Sequence, residues 1–330
     1  MEQVNLGRSG PRASRIGLGC MGMSGMYGAS DEAQAVATIH AAIDAGVNLF
    51  DTGDFYGMGH NELLLGRALK GRRERALLSV KFGALRTPDG LWTGTDGRPA
   101  AVKNFLAYSL QRLGTDHIDI YRLARLDPAV PIEDTIGAIA EMIAAGHVRH
   151  IGLSEVGIGT IERAHKVHPI ADLQIEYSLV SRGPEAKIFP RLKELGVGVT
   201  AYGVLSRGLL SGSASTGPRD IRNRFPRFAP ENLAKNRSLT AAFQQLASGL
   251  GATPAQLAIA WAAAKGRALG LDWVTLVGSR TLEQLDESLG ADSLALSADD
   301  LERIEAALPA EAVAGARYDA AQMSHLDSEK

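Results

Sequence analysis

Short runs rich in β-branched and aromatic residues alternate with longer stretches whose apolar residues recur every three to four positions. The first run, Arg15-Ile-Gly-Leu-Gly19, follows a turn at Ser9-Gly10-Pro11. A helix is predicted from Asp31, a good N-cap, through Val36, Ile39 and Ile43 to Gly46. Strand 47–51, helix 61–70 and strand 76–81 follow, then helix 100–113, strand 117–122 and helix 132–145 up to Gly146. Strand 148–154, helix 159–167, strand 171–176, helix 184–195 and strand 197–202 continue the pattern. A Gly/Ser/Arg-rich loop over 203–237, two helical stretches within 238–266, strand 273–277 and a helix from Thr281 complete it.

Eight strand candidates, each followed by helix and with no linker between halves, predict an α/β fold of one domain: a closed (β/α)8 TIM barrel over 1–312 with a tail at 313–330. A doubly wound open sheet is the alternative. Gly17-Leu-Gly-Cys-Met-Gly22 bears on it, because it matches a G-x-G-x-x-G dinucleotide fingerprint in form. A working fingerprint opens a helix at its third glycine and has an acid ~20 residues on. Here Met23-Ser-Gly-Met-Tyr-Gly28 delays the helix and Asp51 comes later, so a glycine turn at a barrel mouth is the better reading.

Composition narrows the partners. Thirty-seven glycines in 330 residues exceed the usual ~7%, as many strand-to-helix turns would require. Lys and Arg total 35 against 37 Asp and Glu, which leaves no field for a polyanion and argues against nucleic acid. The basic stretch Arg219-Asp-Ile-Arg-Asn-Arg-Phe-Pro-Arg227 reads as a solvated loop or a phosphate contact. The single cysteine, Cys20, fits a reducing compartment, and neither a leader nor a membrane-length apolar run is visible, so a cytoplasmic location is expected. The tail is expected to be a free end or an oligomer contact, and a homo-oligomer stays open. The dispersed histidines give no metal-ligand spacing, and no metal is expected.

In a barrel, chemistry gathers where strands hand over to the loops that follow them. Those ends carry Asp51 and Tyr56, Lys81, Arg122 to Arg125, Ser154-Glu155, Gln174 with Glu176, Tyr202, and Gly278-Ser-Arg280. Each has a dull reading alone. Together, Lys81 and Asp51 on adjacent strand ends can offset each other's burial, and a cation near Tyr56 would favour phenolate and lower its pKa from ~10. Tyr56 would then be a general acid suited to protonating an oxygen as carbon accepts hydride.

These motifs resemble the aldo-keto reductases. The resemblance rests on Asn48-Leu-Phe-Asp-Thr-Gly-Asp-Phe-Tyr-Gly57, Ser79-Val-Lys81, Leu113-Gly-Thr-Asp-His-Ile-Asp-Ile-Tyr121, Ile151-Gly-Leu-Ser-Glu155, Gln174-Ile-Glu-Tyr-Ser178 and Ala201-Tyr-Gly-Val-Leu-Ser-Arg-Gly208. Arg227-Phe-Ala-Pro-Glu-Asn-Leu233 and Gly278-Ser-Arg-Thr-Leu-Glu-Gln-Leu-Asp-Glu287 extend it, toward the branch of perakine-type and auxin-induced-type reductases near the potassium-channel β subunits. The resemblance implies NADPH-dependent reduction of a small-molecule carbonyl substrate, with Asp51, Tyr56 and Lys81 at three of four catalytic positions. It implies a cofactor (NADPH/NADP+) held by Gly19, Cys20, Met21, Asp51, Ser154, Gln174, Tyr202, Gly203, Leu205, Arg207, Gly278, Ser279, Arg280, Gln284, Glu287 and Ser288. Met23, Tyr27, Phe55, Tyr56, Phe82 and Trp92 are the expected substrate-pocket wall, beneath the 203–237 loop.

One position departs: Ala124 stands where the family has a histidine that donates to the substrate carbonyl. Loss of such a donor costs roughly 3 to 4 kcal/mol of transition-state stabilisation. Slow turnover, a substitute donor, or an NADP(H)-binding sensor or partner-binding module with vestigial activity are the readings that follow. Arg122 shares Ala124's face of its strand and is the candidate substitute, or else the partner of a barrel carboxylate such as Asp51.

Overall fold

A computed structural model describes residues 1–330 apart from 214–216 and 218–219. Two short strands, β1 (Gln3–Asn5) and β2 (Arg12–Ser14), pair antiparallel ahead of the main sheet. Then come β3 (Ile16–Gly19), β4 (Leu49–Gly53) and β5 (Leu77–Phe82), a second hairpin of β6 (Ala84–Arg86) and β7 (Trp92–Thr95), and β8 (Ile118–Leu123). The series ends with β9 (Val148–Ser154), β10 (Ile170–Glu176), β11 (Gly198–Tyr202) and β12 (Trp273–Gly278). All strands except the two hairpins close into one barrel of eight, each neighbour parallel. The closed barrel, not an open sheet, is the fold, and every one of the eight strands anticipated from the sequence takes part.

The helices around it are α1 (Glu32–Asp44), α2 (His60–Ala68), α3 (Pro99–Leu113), α4 (Ile132–Ala144), α5 (Ile158–Val167), α6 (Ile188–Leu195), α7 (Pro230–Gly249), α8 (Pro254–Leu269), α9 (Leu282–Gly290), α10 (Ala298–Ala307) and α11 (Ala320–Ser324). No described helix is long and apolar enough to cross a membrane. Asp31 caps α1 by accepting from the Gln34 amide, as its position suggested. α7 starts at Pro230 and so takes in residues expected to be loop. Pro at the first turn is the reason, since its fixed φ and missing N–H suit a helix start.

Side chains alternate between the barrel interior and the layer under the helices. Lys81 faces in and Phe82 faces out, where its ring stacks on Tyr121 at 4.2 Å. Inside, the floor is apolar: Leu6 and Ala13 of the hairpin segment meet Leu49, Ile120 and Val274. Gly7, at φ +78°, lets the hairpin lie against the barrel, because a Cβ there would come within 2.1 Å of the Ala171 carbonyl oxygen.

Above the floor the interior turns polar. Arg122, fully buried, donates to Asp172 Oδ2 (3.0 Å), Ser79 Oγ (3.0 Å) and the Leu153 carbonyl (3.3 Å). Gly152 makes the room: a Cβ there would stand 2.6 Å from Asp172 Oδ1 and 2.9 Å from Arg122 Cζ.

Residues 313–330 lie against the mouth of the barrel. Leu326 is buried, and Asp327 accepts from the Gly157 amide (2.8 Å) and the Thr160 hydroxyl (2.7 Å). This differs from a free end. Buried ion pairs at Arg317, described below, tie the segment down.

Candidate active site

Asp51, near the end of β4, sits where three elements converge. Its carboxylate forms an ion pair with Lys81 of β5 and accepts from Ser79 Oγ (2.8 Å) and Gln174 Nε2 of β10 (2.7 Å). Strand register explains the meeting, since Asp51 lies opposite Ser79 and Gly53 opposite Lys81. Burial depresses the Lys81 pKa, and the Asp51 charge works against that fall.

Tyr56 follows β4 on a turn, 6% exposed, with Lys81 Nζ 5.4 Å from its ring centroid. The expected lowering of its pKa does not occur. Burial, and then the Asp51 charge, push the phenol well above its ordinary value, with Arg125 opposing. Burial outweighs the nearby cations: the Asp51 charge adds to it, and the Arg125 charge offsets only part of it. The phenol therefore keeps its proton at neutral pH, which is the form an acid needs.

Arg122 is not placed beside Tyr56 as a free donor. It is the partner of a barrel carboxylate, although that carboxylate is Asp172 and not Asp51. Asp172 in turn accepts from Thr200 Oγ1 (2.5 Å). The next arginine, Arg125, is the one whose charge acts on Tyr56: its Nη1 donates to the Ala124 carbonyl (2.6 Å) and stands 3.5 Å from Ser154 Oγ.

Glu155 organises the rim. It holds φ +53°, is 1% exposed, and accepts from the Glu176 amide, the Tyr202 hydroxyl (2.8 Å) and Arg317 (2.7 Å). Burial alone would raise its pKa, but the Arg317 charge and hydrogen bonds hold it down at about 2. Tyr318 reaches the Tyr202 hydroxyl at 3.1 Å, and Arg207 lies between the rings of Phe225 and Tyr318 at 4.4 and 4.6 Å while pairing with Glu176 (2.9 Å). Arg317 and Tyr318 were not singled out in the sequence reading, because a tail that folds back leaves no local pattern.

The residues expected to hold a cofactor fall into two groups. Gln174 reaches Asp51 and lies opposite Ser154, Tyr202 lies opposite Glu176, with which Arg207 pairs and beside which Gly203 sits, Leu205 follows on the same turn, and Gly19 lies opposite Asp51 in the β3–β4 register. Cys20 is buried behind it, its amide donating to the Asp51 carbonyl at 2.9 Å, and Met21 opens the following turn. Gly278, Ser279, Arg280, Gln284, Glu287 and Ser288 surround the start of α9, where Ser279 and Ser288 hydroxyls stand 3.3 Å apart. Arg280 there donates to the Tyr27 (3.0 Å) and Ala29 (3.4 Å) carbonyls.

The donor set suits a dinucleotide phosphate. Ser206 and Arg207 both hold left-handed backbone (φ +47° and +56°), and the buried Ser206 hydroxyl has no hydrogen-bond partner among the described residues. An orphaned donor on a strained turn is a receptive place for an anionic oxygen. Sequence reasoning passed over Ser206, and nothing in its neighbours signals the φ. Arg219 of the basic stretch lies outside the described residues, while Arg222 and Arg227 of the same stretch are buried, Arg222 paired with Asp220 (2.6 Å) and Arg227 donating to the Val180 carbonyl (2.6 Å).

Of the expected pocket wall, Phe55 packs edge-on to Tyr56 with centroids 4.8 Å apart. Trp92 meets His325 of the tail at 4.9 Å. Tyr27 lies toward the Arg222 and Arg280 side, its ring 5.8 Å from Arg222 Cζ. Phe82 does not line the mouth, because strand alternation turns it outward, and Met23 is buried in the main apolar core.

A closed (β/α)8 barrel with a buried Asp–Lys pair and a protonated tyrosine at its C-terminal mouth defines a class of oxidoreductase scaffold. The chain belongs to the aldo/keto reductase family, whose model matches residues 15–309. It is 39% identical over 325 residues to "Probable aldo-keto reductase 1" of Glycine max, covering 96% of this chain and 92% of that protein. Among solved structures, the glycerol dehydrogenase AKR11B4 from Gluconobacter oxydans is similar with TM-score 0.82 and 25% identity, covering 99% of this chain and 96% of that one. The aldo-keto reductase AKR11C1 from Bacillus halodurans, in its holo form, is similar with TM-score 0.75 and 30% identity, covering 94% of this chain and 97% of that one.

Proposed function

We propose that this chain is an NADPH-dependent reductase of aldehydes and reactive ketones, giving alcohols. The observation that carries the reading is Tyr56, buried and protonated, beside the Asp51–Lys81 pair at the mouth of the barrel. When bound, the reduced nicotinamide supplies a hydride to the carbonyl carbon. Tyr56 breaks its O–H bond and gives the proton to the carbonyl oxygen, and later regains one from water. Lys81 steadies the transient phenolate, and Asp51 keeps Lys81 charged in a site that would otherwise neutralise it. Ser154 and Gln174 would orient the carboxamide, Tyr202 would back the ring, Ser206 would meet the diphosphate, and Arg280 with the α9 start would hold the adenosine phosphate.

Ala124 favours a second reading, a cofactor-occupied sensor or partner-binding module with vestigial turnover. Fluorescence titration with NADPH and NADH, followed by absorbance at the reduced-nicotinamide band with a panel led by 4-nitrobenzaldehyde, separates them. The reductase reading expects NADPH-dependent turnover. Tight NADPH binding with no carbonyl reduced would favour the sensor.

A further inference from the structure

Buried arginines at the mouth divide by partner. Arg317 is held by Glu155, Arg207 by Glu176 and Arg122 by Asp172. Arg125 and Arg86 are different: among the described residues neither guanidinium comes within 4.0 Å of a carboxylate. Arg125 has only the Ala124 carbonyl and the distant Ser154 hydroxyl. Arg86, on β6, donates to the Gly90 carbonyl (3.2 Å), and its buried Nε has no hydrogen-bond partner among the described residues.

Both stand around Tyr56. Arg86 Cζ lies 5.3 Å from the Phe55 ring centroid, and that ring abuts Tyr56 edge-on. The charges of both arginines act on the Tyr56 phenol. Glu155 acts on Arg125 and Asp54 on Arg86 only from beyond ion-pair distance, so each guanidinium keeps its hydrogen-bonding fork free for an anion that comes closer. The cofactor phosphates have donors of their own in Ser206 and Arg280, which leaves these two arginines for the substrate.

We infer that the substrate is an anionic carbonyl compound, whose carboxylate or phosphate is gripped by Arg86 and Arg125 while its carbonyl oxygen meets Tyr56. This rests on the reductase reading and names its substrate class. Arginine suits the task, since its planar fork matches two oxygens of such a group.

The test compares 4-formylbenzoate and 4-formylphenyl phosphate with the neutral methyl 4-formylbenzoate at saturating NADPH. The anion-to-ester ratio of kcat/KM is expected above ~10, gained through KM. It should fall toward one in Arg86→Met/Arg125→Met, a ratio that cancels any loss of folded protein. Added KCl should raise KM for the anions and leave the ester's alone. Whichever anion leads identifies the group. A wild-type ratio of one or less overturns the inference while ester turnover leaves the reductase reading standing. If no aldehyde is reduced, that reading fails, and calorimetry with 4-(hydroxymethyl)benzoate and NADP+ still decides: binding abolished in the double variant upholds the anion site, and no binding overturns it.

Discussion

At the floor of the barrel Leu6, Ala13, Leu49, Ile120 and Val274 fill the space with carbon, whereas the mouth buries Asp51, Lys81, Glu155, Glu176, Arg122 and Tyr56 in one polar assembly. The floor gains free energy from burial at ~25 cal/mol per Å2, and needs only shape. The mouth gains little from its ion pairs, since desolvation offsets their attraction, yet it suffers heavily when one partner is removed. Buried pairs of this kind are therefore a poor source of stability and a costly place to lose one partner. The contrast predicts that substitution at the floor changes stability alone, whereas at the mouth it changes activity as well.

Lys81→Met should have the largest effect. NADPH-dependent turnover falls roughly a thousandfold, and unfolding in denaturant shows a loss of about 3 to 5 kcal/mol because Asp51 is left buried and unpaired. Adding Asp51→Asn should restore much of the stability and none of the activity. Leu49→Ala tests the other end: a loss of about 2 to 5 kcal/mol, with kcat/KM unchanged within about twofold. Equal loss of activity there would erase the contrast.

Glu155→Gln sharpens it at the rim. Removing the charge that Arg317 faces costs about 2 kcal/mol and should expose residues 313–330 to limited proteolysis. The same pair sets an acid limit. Because Glu155 is held at about 2 when folded, its contribution is present above the ordinary carboxylate range and is lost as pH falls toward 2. Asp54 has the opposite sign: burial lifts it to about 7, so its cost is absent near pH 4 and grows as pH rises through 7. Asp54→Asn should therefore raise Tm at pH 8 by about 2 °C or more and leave it unchanged at pH 4.

Much of this architecture is legible in the sequence because it rests on local period. All eight barrel strands announce themselves as short β-rich runs, and Asp51, Lys81 and Gln174 can be placed at one mouth from strand ends alone. The floor hairpin is not legible, since β1 and β2 have three residues each and their identity depends on packing against Leu49 and Val274. The β6–β7 hairpin fails for the same reason. The tail fails because Arg317 finds Glu155 across 162 positions. Arg122 shows a subtler limit. Strand alternation correctly turns it inward, but only the space left by Gly152 reveals that Asp172 is its partner. Phe82 reads as a loop residue when the strand is ended at Lys81, but the strand runs on through Phe82 and its alternation turns that ring outward.

The central claim is that Tyr56 donates the proton in carbonyl reduction. The most direct test is the steady-state rate of NADPH oxidation by Tyr56→Phe with 4-nitrobenzaldehyde, on protein shown by circular dichroism to be folded. The account predicts a kcat/KM at least about a thousandfold below wild type. Turnover equal to wild type would contradict it.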